Sequence, residues 1–152
     1  MDGFAKKNIK GDRMRKTIYI LTGLFVLVFC TAQAVRAQED VGRLLQELEN
    51  NTDRFSKSFD NALDNSELNG TSTEGEATRY VHEFEDSIDR LKKVYDKQKD
   101  ARIAAQEVVM RAKVVNKVMK KYKLDSTSRT DWKSVKSNLD RLGAAYKTKI
   151  RW

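Results

Sequence analysis

A chain of 152 residues without a single proline can extend a helix for as long as its apolar pattern allows, because nothing in it removes a backbone donor or forces a break. Ordinary usage of about 5% would have supplied several prolines. The pattern itself is helical. Val41, Leu45, Leu48, Thr52, Phe55, Phe59 and Ala62 alternate steps of four and three, which puts them on one stripe while Glu47, Asp53, Lys57 and Asp60 face away. The segment from Asp64 to Ser72 then gathers small and polar turn formers around Gly70 and reads as the main loop.

A second helix is expected from near Thr73, carrying Ala77, Val81, Phe84, Ile88, Leu91 and Tyr95 on the same alternation, with Glu74 and Glu76 in its first turn, where the helix dipole favours anions. Around Gln98 to Asp100 the stripe changes phase. Asp100 is placed to cap a third helix bearing Ala101, Ala105, Val108, Ala112, Val115, Met119 and Tyr122. With no Gly or Pro there, one bent rod joining the second and third helices stays open. Leu124 to Thr130 reads as a second polar connector, and a fourth helix is expected from Asp131 to Lys149, with Trp132, Val135, Leu139, Leu142 and Tyr146 on its stripe. Amphipathic helices with short connectors and no credible strand imply an all-α fold, an antiparallel bundle of three to four helices, each stripe buried only against the others. The aromatic and Met residues fall almost wholly on these stripes, which is the signature of a core.

Ahead of the bundle lies a different kind of segment. From Met14 the chain runs Met-Arg-Lys, then a largely apolar stretch from Ile18 to Ala32, then Val35-Arg36-Ala37 before the polar Gln38-Glu39-Asp40. Charged, apolar and small-residue regions in that order are those of a signal peptide spanning residues 1–37, with cleavage after Ala37 and Met14 as an alternative start. The competing reading is an uncleaved anchor, since Thr17 to Val35 approaches the roughly 20 residues needed to cross a bilayer. In both readings Lys6, Lys7, Lys10, Arg13, Arg15 and Lys16 hold the N-terminus in the cytoplasm and place residues 38–152 outside. The expected location is the periplasm or cell envelope, with inner-membrane anchoring as the alternative.

The one cysteine, Cys30, lies within the segment to be removed, so the mature chain is expected to fold without disulfides or thiolate chemistry. Other chemistry is equally sparse. His82 is the single histidine, and Arg79 stands where a ferritin-like Glu-x-x-His pair would need a glutamate; it reads as titratable surface, with a minor metal site as the sharper alternative. Asp64 to Gly70 resembles a calcium loop only until Leu68, which falls where an oxygen ligand is needed. No haem motif, Gly-rich phosphate loop or nucleophile elbow is present. The expectation is a non-enzymatic chain with no cofactor, no metal site and no catalytic residues.

Charge is more informative, because it is unevenly distributed. Residues 38–91 hold 14 acidic and 5 basic side chains, 92–123 hold 3 acidic and 11 basic, and 124–152 hold 3 acidic and 7 basic. Acidic and basic helices lying side by side would offset one another. Alternatively, Lys113, Lys117, Lys120, Lys121 and Lys123 form a basic patch for an anionic envelope surface, either lipid headgroups or polysaccharide. Nucleic acid is disfavoured, as no recognition motif or aromatic platform accompanies the lysines. The leading expectation for partners is another protein or a second copy of the chain.

Thr52-Asp53-Arg54-Phe55, Phe59 to Asp64, Phe84-Glu85 with Asp89-Arg90-Leu91, and Asp131-Trp132 with Val135, Leu139, Leu142 and Tyr146 give the chain a resemblance to small exported helical proteins of unassigned function in Gram-negative bacteria. The resemblance spans most of the mature chain. It implies a helical domain of the periplasm or envelope and carries over no catalytic or binding residue.

Overall fold

A computed structural model describes residues 40–152; the expected export segment and its cleavage point after Ala37 lie outside the described residues. Among these residues there are four helices and no strand: α1 over 40–64, α2 over Ser72–Asp96, α3 over Arg102–Lys121 and α4 over Ser126–Ala145. At 1.5 Å per residue each is roughly 30 to 38 Å long.

Neighbouring helices run antiparallel, as the pairing order shows. Glu47, Asn51 and Phe55 of α1 meet Arg141, Asn138 and Trp132 of α4 in descending order. Arg90 and Glu83 of α2 meet Glu107 and Arg111 of α3, and Lys92 of α2 reaches Glu49 of α1. α4 therefore closes the ring against α1, and the all-α antiparallel bundle is the fold. The predicted stripes form its interior: Leu45, Leu48, Phe55, Phe59, Phe84, Leu91, Val108, Val115, Leu139 and Leu142 are all buried. Leu44, Leu63, Val109, Val118 and Leu124 join them from positions beside the stripes. Every one of these residues lies within 40–152, so this unit carries a core of its own.

Local chemistry sets where each helix begins and ends. Thr71 Oγ1 accepts the Glu74 N–H at 3.3 Å, and the Glu74 carboxylate accepts the Gly70 N–H at 2.6 Å, so two orphan donors at the start of α2 are satisfied by each other's neighbours. Gly70 takes φ of 74° in the turn just before. The bent-rod alternative is resolved at the other end of α2. Gln98 adopts φ of 52°, its N–H donates to the Tyr95 carbonyl at 2.8 Å, and the Lys99 N–H donates to the Val94 carbonyl at 3.2 Å. That is a Schellman stop, built here without glycine. Asp100 lies one residue ahead of the position expected for it: the N-cap of α3 is Ala101, with no side-chain bond of its own. Asp100 still accepts the first N–H of the helix, from Arg102 at 3.1 Å.

The fourth helix departs from expectation at both ends. Residues 126–130 are its first turn and not a connector, because Asp125 is a strong N-cap whose Oδ1 accepts the Ser128 N–H at 2.7 Å. It stops at Ala145 and not at Lys149, through a second Schellman motif. Lys147 takes φ of 54°, and the Thr148 N–H donates to the Gly143 carbonyl at 2.7 Å. Residues 146–152 then fold back along α4. A Cβ on Gly143 would stand 2.6 Å from the Thr148 carbonyl oxygen, so only glycine permits that close return.

Two buried polar side chains in this core have opposite fates. The Trp132 indole N–H donates to Asn116 Oδ1 at 3.0 Å, whereas Thr52 Oγ1, in a residue only 1% exposed, has no partner. An unsatisfied buried hydroxyl costs more than the apolar group that could replace it. Thr52→Val is accordingly expected to raise the unfolding free energy by about 1 kcal/mol in urea titration, and a loss of stability would contradict this account of the site. Trp132→Ala is expected to lower it by about 3 to 5 kcal/mol, followed by the midpoint of the helical circular dichroism signal.

Candidate functional site

The helices differ sharply in charge. α1 has six acidic and three basic residues, α2 seven and four, α3 one and six, and α4 two and four. The cross-helix ion pairs draw on this difference. Lys92 pairs with Glu49, Arg111 with Glu83, Arg141 with Glu47, and Arg90 with Glu107 at 2.7 Å. Arg111–Glu83 and Arg141–Glu47 thus offset a basic helix against an acidic one, whereas Lys92–Glu49 joins the two acidic helices and Arg90–Glu107 runs the opposite way; each such half-exposed pair contributes little stability.

The expected patch lysines form none of these ion pairs. Lys117, Lys120, Lys121 and Lys123 are exposed and Lys113 is half-buried, and none of the five has an acidic partner among the described residues. Helical rotation supplies the reason. At 100° per residue Glu107 and Arg111 turn toward α2, the acidic neighbour with which they pair. Lys113 and Lys120 turn the other way, toward α4, on the same flank as Asn116, which bonds Trp132. Lys117 and Lys121 occupy the crest between those flanks. Lys113, Lys117, Lys120 and Lys121 share an arc of about 100°, and Lys123 follows the Tyr122 C-cap at the same end of the bundle. The Lys121 ammonium stands 4.9 Å from the centroid of the Tyr122 ring, and interaction with that side chain, helped by the Glu76 carboxylate, raises it above the usual lysine range.

The crest holds something the apolar stripes did not reveal. Ile103 is 81% exposed and Met110 63%. Both sit opposite the buried Ala105, Val108, Ala112 and Val115, within about 60° of Lys117 and Lys121. Of the two methionines among the described residues, Met119 lies on the α3 stripe as expected and Met110 does not. Their spacing carried a signal: Ile103, Met110 and Lys117 recur every seven residues, an outward seam running parallel to the inward one. Beside the crest, Glu76 and Tyr80 of α2 with Val114, Lys117 and Lys121 of α3 line a groove of about 380 Å³.

The acidic side of the molecule is organised around His82, whose exposed ring places Nδ1 3.0 Å from Glu85 Oε2. Asp60 of α1 faces the same region. Partial burial raises its carboxyl above the ordinary 3.8; His82 opposes the shift, and Glu85, Asp64 and Glu74 add to it. Among the described residues no three His, Cys, Asp or Glu side chains are grouped so as to hold a metal ion. No described helix is long and apolar enough to cross a membrane.

A carboxyl group whose folded pKa is raised contributes its full stability below the unfolded value of 3.8 and loses it as pH rises through the folded value. Removing the charge should therefore help only where it exists. Asp60→Asn is expected to raise Tm at pH 7 and leave it unchanged at pH 3; equal shifts at both pH values would rule out this origin.

Comparison with known proteins returns no matching family model, curated protein or solved structure.

Proposed function

We propose that this chain is an exported, non-enzymatic helical bundle that acts by binding, and that α3 is its binding helix for an anionic partner at the cell envelope. One observation carries the reading. Arg90, Lys92, Arg111 and Arg141 are paired with carboxylates of neighbouring helices, while five lysines on or beside one helix are left to face outward. Basic side chains concentrated on one helix and outside its ion pairs raise the local positive potential, and such a surface attracts polyanions. The location rests on the segment from Lys6 to Ala37, which has the composition of an export signal.

The chain from Gln38 onward, which carries the core of the described residues, is expected to be retained on a sulfated-polysaccharide resin and released by salt, since screening weakens such contacts. Lys117→Glu, Lys120→Glu and Lys121→Glu combined should elute at much lower salt. Lys57→Glu, Lys93→Glu and Lys97→Glu combined make the same change in net charge outside α3 and should elute much later than that variant. Identical elution of the two triple variants would refute α3 as the binding helix.

A further inference from the structure

The two apolar residues on the crest identify the kind of anionic partner more narrowly, granted that α3 is the binding helix. Ile103 and Met110 are the large hydrophobic side chains that stand exposed among the described residues, and both occur on α3, the described helix with the most lysines outside the ion pairs. A soluble polyanion satisfies the lysines and leaves the apolar pair in water. We propose that the partner is the surface of a phospholipid bilayer with anionic headgroups, on which α3 lies lengthwise with Ile103 and Met110 in the interfacial region.

The geometry fits that occupant in three respects. Ile103, Met110, Lys117 and Lys121 lie nearly in line, and the 18 helical steps from first to last span roughly 27 Å of helix axis. A helix lying in the plane of the interface therefore presents all four at once. The apolar side chains point straight away from the core, so they reach the acyl boundary without disturbing the bundle. Lys113 and Lys120 flank the line, and lysine stems are long enough to lie along apolar surface while their ammonium groups stay at the phosphates.

Charge separates this occupant from a second copy of the chain. α3 carries six basic residues against one acidic, and the acidic one, Glu107, is held by Arg90. Two such crests brought together would repel, and two exposed apolar side chains fall far short of the roughly 800 Å² per partner that a stable interface buries. An anionic bilayer reverses the sign of the long-range term and supplies the apolar phase as well. The acidic helices α1 and α2 supply most of the carboxylates and are not part of the crest.

The test uses vesicles of equimolar phosphatidylglycerol and phosphatidylethanolamine, with vesicles of phosphatidylcholine alone for comparison. The chain from Gln38 onward is the protein, because the apolar run Ile18 to Ala32 would enter lipid by itself. Co-sedimentation is expected with the anionic vesicles and not with phosphatidylcholine. Ile103→Ser with Met110→Ser should weaken vesicle binding roughly tenfold while leaving the salt needed for elution from the sulfated resin unchanged. Met110→Trp should show blue-shifted emission on adding anionic vesicles. Both sites are exposed, and unchanged circular dichroism would verify that folding is intact. Retention on the resin without vesicle binding, or vesicle binding indifferent to the serine pair, overturns the bilayer proposal and leaves the anionic reading standing. Failure on both resin and vesicles overturns the two together.

Discussion

Trp132 is where the bundle is joined. Its ring lies 4.9 Å from that of Phe55 on α1 and 6.0 Å from that of Phe84 on α2, and its N–H is satisfied by Asn116 on α3. Trp152, from the segment beyond α4, covers it edge-on at 6.3 Å and donates its own N–H to Asp140. One α4 side chain thereby touches every other helix. Its polar atom is met as well, so a large aromatic group can be buried without leaving an orphan donor. This arrangement fixes the rotation of α4 and, through Asn116, the rotation of α3. The direction in which the α3 lysines point follows from it.

The same rotation explains why charge is only partly offset. α3 meets α2 along a flank that carries one acid and one base, each matched across the interface. Its other flank meets α4, which has only Asp131 and Asp140 to offer, and Asp140 already accepts from Trp152. Lysines on that flank and on the crest form no ion pair, and Glu76 across the groove from Lys117 and Lys121 is the acidic neighbour the crest has. The basic surface is thus a product of helix order and helix phase, with composition supplying only the raw material.

The stripes were readable in the sequence because burial in a bundle follows a period that the chain states directly. Every position from Leu45 to Leu142 that carried a large aliphatic or aromatic side chain on a stripe is interior, apart from the half-buried tyrosines. Helix ends were less legible. Gln98 and Lys147 adopt left-handed backbone with no glycine to advertise it, and the polar run Ser126 to Thr130 looks like a loop until Asp125 is recognised as its cap. For the candidate site, the five lysines could be listed from sequence. Their lack of partners could not be, since it depends on which flank of α3 meets which neighbour. Ile103 and Met110 were overlooked for a related reason: a search for the inward seam discards whatever falls on the opposite side.

Sorting of acids into α1 and α2 and of bases into α3 and α4 gives the molecule an electric moment directed across the helix axes. In the field of any extended negative plane such a body experiences a torque as well as a pull. Within about 8 Å, the screening distance at physiological salt, it turns its positive side toward the plane and its negative side away before any atoms touch. Arrival is therefore aligned in advance, and collisions that would present the wrong side are repelled.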